Sequence, residues 1–402
     1  MSEPEGFLDV DIRVGDSQEP GRYPVTVETA AGDASDTLRL DPTDDLLQRD
    51  LQAIENGDTD EGLFLAFGER LFNALLPGPV AATFRAAVGR AQGEAKRLRV
   101  RLRLRPPELS ALPWEFLYDP QQDLFLGISS HIVLSRYVVD APAFLEPMAV
   151  SPPLQLLVAF SSPSDVMPLD LDRERQVITR AVQKAVGAGR LELHFLDHTT
   201  NASLRSALRE VRPHVFHFVG HGAFDGQRGY LLFEDDAGKS RRVRDRTLRE
   251  FFEGAPSTKL VVLNACQGAA SSAGQAISGL AAYLVQRGLP AVVAMRYPIP
   301  DATAVVFARE FYEALTQETP TAVDVAVAAG RRAVFQDVDP DRPDWGIPNV
   351  FLRAEDGTVF APPSAPAGQA TGGTTVQVGD ISDVSGGSVI IAGGSVETGT
   401  KS

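Results

Sequence analysis

The sequence predicts an α/β fold, a three-layer α/β/α sandwich around a mostly parallel sheet, and three observations carry that expectation. From Leu154 onward, short runs rich in Val, Leu and Phe alternate with stretches of helical periodicity, the signature of strand–helix units joined by right-handed crossovers. Two of those runs, Val215 to Val219 and Leu260 to Leu263, lead into small residues around one reactive side chain each, His221 and Cys266. The bulk numbers fit: 402 residues, 44% hydrophobic and 23% charged, suffice for one large α/β unit or two ordinary domains.

Residues from about Phe7 to Leu40 read as a β meander. Leu8, Val10, Ile12 and Val14 alternate with Asp9, Asp11, Arg13 and Gly15, and a second strand fits Tyr23 to Glu28. Asp41-Pro42 predicts a helix start, an N-cap followed by proline at the first helical position. Helical apolar stripes follow at Leu47, Leu51 and Ile54, at Phe64, Phe67, Leu71 and Leu75, and at Phe84 and Val88. From Arg97 to Arg105 five arginines alternate with Leu98, Val100, Leu102 and Leu104. The expectation is an aliphatic face turned inward. The arginine face is solvated or paired with acids of the same N-terminal half, in preference to a docking strip for an acidic partner. Leu112-Pro113-Trp114-Glu115-Phe116-Leu117-Tyr118 reads as a core anchor in which Glu115 reaches a backbone or arginine partner. Further strand is expected over 126–139.

Four prolines between residues 141 and 153 mark a linker. The chain thus divides into an N-terminal half, 1–140, the linker, 141–153, and a second half, 154–360. Strands are expected there at 154–160, 191–195, 214–219, 230–233, 259–263 and 289–294. Helices are expected at 172–186, 201–210, 246–252, 279–287, 303–316 and 322–335. From about residue 361 Pro, Ala, Gly, Ser and Thr dominate. Two β-prone pieces, 376–384 and 388–394, predict either a flexible Gly-rich tail or one that associates with itself or a partner by adding strands.

Several function classes are disfavoured. A net charge of -15 argues against broad nucleic-acid binding. A single cysteine rules out an internal disulfide. One thiol and scattered histidines do not make metal-ligand spacing, and no phosphate-cradling glycine motif is present. No apolar run approaches the roughly 18 residues that span a bilayer, and the start lacks the basic and apolar segments of a secretory signal. The expectation is a cytoplasmic protein without cofactor, metal or membrane partner.

In open α/β sheets chemistry collects at the carboxyl ends of strands, and His221 and Cys266 both follow such ends. Imidazole can keep a nearby sulfur as thiolate and return its proton to a leaving group. Gly222 lets the backbone turn and bring its N–H toward a substrate carbonyl, and the Cys266 N–H is the natural second donor for the oxyanion. Alone, a cysteine at a strand end is usually a small buried hydrophobe, and the chain has five other histidines. The matched contexts, 45 residues apart, single out this pair. Asp225, Glu234, Asp235 and Asp236 follow the histidine closely and would suit a basic substrate side chain, or form a merely solvated acidic loop.

His214 to Gly222 and Val261 to Gly268 resemble the two signature blocks of CHAT domains, the caspase- and separase-related peptidases of clan CD. Leu112 to Tyr118 resembles the family's Pro-Trp-Glu block. Ala294 to Asp301, with Phe307, Phe311 and Tyr312, resembles the segment after the nucleophile, and Trp345 to Phe351 the block that closes the domain. The resemblance spans roughly Phe7 to Arg353. It implies a caspase-like fold whose N-terminal half is a diverged companion, with His221 as general acid/base and Cys266 as nucleophile. It also implies a cysteine endopeptidase acting on a protein partner in bacterial defence or cell-death signalling. Many relatives carry repeats or sensors; no such repeat is visible here, which leaves the tail or the arginine strip as links to a sensor or a second copy. Two alternatives stay open: a catalytically silent CHAT scaffold, and another thiol acyl-transfer enzyme such as an amidase, in which an acidic residue would orient His221.

Overall fold

A computed structural model describes residues 6–58, 60–138, 143–224, 229–265, 272–317 and 321–363. The β-prone pieces of the tail lie outside the described residues. The N-terminal half forms β1 (Phe7–Val14), β2 (Arg22–Thr29), β3 (Gly32–Arg39), α1 (Asp45–Asn56), α2 (Glu61–Leu75), α3 (Gly78–Gly93), β4 (Arg97–Leu104), α4 (Pro107–Ser110), the two-residue strands β5 (Tyr118–Asp119) and β6 (Leu124–Phe125), and β7 (Ile132–Tyr137). β8 (Met148–Ala149) lies in the proline-rich connection. The second half forms β9 (Leu154–Phe160), α5 (Leu171–Gly187), β10 (Leu191–Leu196), α6 (Asn201–Val211), β11 (Val215–Val219), β12 (His221–Phe224), β13 (Gly229–Glu234), β14 (Ser240–Arg244), α7 (Asp245–Glu253), β15 (Leu260–Asn264), α8 (Ser272–Gln286), β16 (Ala291–Met295), α9 (Asp301–Leu315), α10 (Val323–Asp337), β17 (Pro348–Leu352) and β18 (Phe360–Ala361).

Both halves share one eleven-stranded sheet of order β10-β9-β11-β15-β16-β17-β7-β4-β1-β2-β3. The strands β10, β9, β11, β15 and β16 run parallel. β17 turns antiparallel to β16, and β7, β4 and β1 run parallel to β17. Two parallel blocks therefore point opposite ways, and β2 and β3 add an antiparallel edge. The register Leu102–Arg136–Phe351–Val292 puts these residues on one face. α6, α7 and α8 cover that face in the second half, and α1, α2 and α3 cover it in the first. α5, α9 and α10 cover the other, completing the three layers. Among the described residues no single helix is long and apolar enough to cross a membrane.

Two local expectations need correction. The helix forecast at Asp41-Pro42 begins at Asp45, with Asp44 capping it by accepting from Leu47 N at 2.9 Å. Asp41 instead accepts from Thr43 N at 2.8 Å, and that turn competes with helix entry. The arginine face of β4 is covered, not solvated. Arg99 and Arg101 are only 3% and 9% exposed. Arg101 and Arg103 do pair with Asp9 and Asp11 of β1, at 2.7 and 2.6 Å. Arg99 pairs at 2.8 Å with Asp324 of α10, in the other half of the chain. Alternation separates two faces but does not say which one a distant helix will cover.

The Pro-Trp-Glu segment is a core anchor, as expected. Glu115 is 1% exposed. Arg136 Nε and Nη2 donate to its two oxygens at 2.9 and 2.7 Å, and Arg331 Nη2 stands 3.7 Å away. Burial pushes the Glu115 carboxyl up, but Arg136, backed by Arg331 and Arg296, outweighs this and holds it below the usual carboxylate range. The guanidiniums spend their other donors on backbone. Arg136 reaches the Ser110 and Leu112 carbonyls at 2.6 and 2.7 Å, Arg296 those of Ala111 and Leu112, and Arg331 that of Pro348. Beside the knot the Phe116 ring packs on Trp345, 4.7 Å between centroids. A Cβ on Gly346 would fall 2.3 Å from the Phe116 ring, so only glycine fits there. Glu115→Gln leaves buried guanidiniums short of a counter-charge and should cost about 3–5 kcal/mol, read as a lower urea midpoint. Adding Arg136→Met should recover part of that loss.

Candidate active site

β11 and β15 are neighbouring parallel strands, and their last paired residues are Val219 and Asn264. Gly220 N donates to the Asn264 carbonyl at 3.1 Å and clamps the two ends together. From these matched ends the chain runs two residues further to His221 and to Cys266. Residues 266–271, Cys266 among them, lie outside the described residues; Ala265, just before, is buried.

His221 opens β12 and is 3% exposed. Its Nε2 lies 2.8 Å from the Met167 carbonyl. A carbonyl can only accept, so Nε2 carries the proton and Nδ1 of the neutral ring keeps its lone pair. Among the described residues a backbone carbonyl, rather than an acidic side chain, holds the imidazole. It comes from the loop after β9, which is itself tied down. Ser161 N donates to Val219 O at 3.0 Å and Ser161 Oγ to Leu232 O at 2.9 Å. Leu169 N donates to Ser162 Oγ at 3.1 Å, and Ser240 N to Asp165 Oδ1 at 2.7 Å. The Met167 side chain itself is 73% exposed beside the site.

Strand parity fixes where the Gly222 N–H points. Asp235 N donates to Lys239 O, which makes Glu234 and Ser240 a non-hydrogen-bonded pair of the β13–β14 ladder. Counting back, Leu232 and Tyr230 bond toward β12, so their partners His221 and Ala223 bond back. Gly222, between them, turns its N–H away from β13. No side chain fits at this position: a Cβ would lie 2.4 Å from both the Ala265 carbonyl and Ile277.

The acidic residues after the histidine divide. Glu234 is 5% exposed; it accepts from Ser162 N at 3.0 Å and meets His198 Nδ1 at 3.0 Å, so it is engaged inside the protein. Asp235 closes the β13–β14 turn by accepting from Ala237 N and Lys239 N at 2.9 and 2.8 Å. Asp236 is exposed on that turn. Asp225 lies outside the described residues. Sequence reasoning missed two features. The Met167 carbonyl has no side-chain signature at all. β14 carries a single buried valine, Val243, among its arginines, too little for a strand period to show in the sequence.

The CHAT domain profile matches residues 65–356. Among solved structures, the chain is similar to separase of Saccharomyces cerevisiae in its complex with securin: 12% identity and TM-score 0.47, over 86% of this chain and 30% of that one. It is also similar to the Arg-specific cysteine proteinase gingipain R of Porphyromonas gingivalis, at 11% identity and TM-score 0.43 over 79% of this chain and 75% of that one. For the Drosophila initiator caspase Dronc the values are 11% and 0.30, over 56% and 97%. The chain spans 30% of the length of the separase chain it matches. Among curated proteins no sequence matches.

The histidine of β11 itself serves the core. His217 sits mid-strand with Nδ1 2.8 Å from the Tyr312 hydroxyl, and burial pulls its pKa down to about 4. The unfolded ring takes a proton below about pH 6.5, whereas the folded ring stays neutral to about pH 4. Stability should therefore fall as pH drops through this window, by at most about 3 kcal/mol. His217→Gln should remove that decline in denaturation curves taken between the two pH values.

Proposed function

Because the chain belongs to the CHAT domain family, we propose that it is a cysteine endopeptidase with Cys266 as nucleophile and His221 as general acid/base. The observation that supports this most is the His221 tautomer, with its proton on Nε2 and a lone pair on Nδ1, on a residue that follows β11 as Cys266 follows the neighbouring β15. In this reading Nδ1 takes the Cys266 thiol proton, and the thiolate adds to a peptide carbonyl carbon. The N–H groups of Gly222 and Cys266 hold the resulting oxyanion. Nδ1 then gives its proton to the departing amine as the C–N bond breaks, leaving a thioester on Cys266. Water, deprotonated by the same Nδ1, adds to the thioester and expels the thiolate, releasing the acid.

The reading includes a protein substrate, a cytoplasmic setting and a place in bacterial defence or cell-death signalling, with control through a sensor or through tail-mediated association. Family membership is its support. The carbonyl hold on His221 favours this over the amidase alternative with its acidic orienter.

An electrophilic peptide ketone should label wild-type protein at Cys266. Cys266→Ala and His221→Ala should each slow cleavage of protein substrates by roughly 10⁴-fold, measured by mapping new amino termini in a bacterial extract. Cleavage that persists in Cys266→Ala would sink the proposal. A chain that neither labels nor cleaves points to the silent scaffold.

A further inference from the structure

The arginine strip that stands out in the sequence, on β4, is internal. A second basic run is at the surface. Lys239, Arg241, Arg242, Arg244 and Arg246 fall within eight residues, against one acid, Asp245, which is buried. Lys239, Arg241, Arg242 and Arg246 are exposed in a chain whose net charge is -15. The run contains β14, the last strand of the sheet β12-β13-β14, whose outer side pairs with no strand among the described residues.

The parity that turns Gly222 outward acts on β14 as well. Ser240 and Arg242 direct their backbone groups away from β13. The Ser240 N–H is taken by Asp165. Among the described residues the Ser240 carbonyl and both backbone groups of Arg242 meet no hydrogen-bond partner. The Arg242 guanidinium lies over the Tyr230 ring, 5.0 Å from its centroid, and is thereby held on the outer face. His221, Leu232 and Arg242 stand opposite one another on successive strands. Arg242 is thus about 10 Å from the His221 backbone, two strand spacings away.

We propose that the outer edge of β14 docks an acidic, extended segment of the protein substrate, which adds as a fourth strand. Only the word substrate rests on the peptidase reading; the docking does not. Backbone hydrogen bonds supply the register, and Arg241, Arg242 and Arg246 supply the preference for Asp and Glu. A strand added here runs about 14 Å from His221, so about four extended residues separate it from the bond to be cut. Nucleic acid also carries negative charge, but it has no use for the edge's N–H and C=O register, and the field of the whole chain repels it.

The test measures fluorescence anisotropy of a labelled peptide that alternates Asp or Glu with Val or Thr, titrated with the full chain. It should bind the wild-type and Cys266→Ala proteins alike. Arg241→Glu/Arg242→Glu should weaken it at least about tenfold, and the milder Arg241→Gln/Arg242→Gln should fall between. A peptide of the same charge with prolines in place of the valines should bind as poorly as the reversed variant sees the parent. No binding, equal binding by wild type and both variants, equal binding of the proline peptide, or displacement by a single-stranded oligonucleotide at lower concentration would each overturn the proposal. Ketone labelling of Cys266 is read on the same samples. Lost anisotropy with labelling intact removes the docking alone; lost labelling with anisotropy intact removes the peptidase reading alone.

Discussion

Much of this structure rests on one carboxylate. Glu115 is buried with Arg136 of β7 in contact, and with Arg331 of α10 and Arg296 after β16 close behind. Taking such charges out of water costs several kcal/mol per ion, and an apolar cluster of the same volume could be as stable. What the knot supplies is selection. A slipped register of β7 against β17 leaves guanidiniums in the interior without their counter-charge or their carbonyls. The three arginines come from three separate parts of the chain, so one acid fixes how all three meet.

That junction lies where the sheet reverses direction. β16 belongs to the block that carries the candidate dyad, and β17 is the first strand of the opposing block. The N-terminal half is therefore continuous with the second half through backbone hydrogen bonds, not an appended domain. It stiffens the floor on which β11 and β15 lie side by side. Above that floor the site depends on small residues and backbone groups: Gly220 clamps the strand ends, Gly222 leaves space under the Ala265 carbonyl, and Met167 orients the ring.

The fold was legible where chemistry repeats along the chain. Alternation in β1 and β4, the apolar runs of β9, β11, β15 and β16, and the stripes of α2 and α3 all lie at the residues that read that way. Contacts between remote residues were not legible. Nothing near Arg99 announces Asp324, and nothing near His221 announces a carbonyl from residue 167. At Asp41 and Asp44 two good caps compete three residues apart, and propensity alone does not choose. β14 hid because a charged edge strand with one inward valine has almost no hydrophobic period. For the site, sequence picked out His221 and Gly222 from their place after an apolar strand. The hydrogen-bond parity that aims the Gly222 N–H becomes visible only once three strands are paired.

The reversal between β16 and β17 also divides the molecule's tolerance for change. Strands β9, β11, β15 and β16 end at one rim of the sheet, and β1, β4, β7 and β17 end at the other. The described loops at the first rim hold His221 and its supports. Among the described residues those at the second rim touch none of that chemistry. Descendants of this fold can acquire extra modules there, as cargo on the far gunwale of a boat, while the working side keeps its geometry.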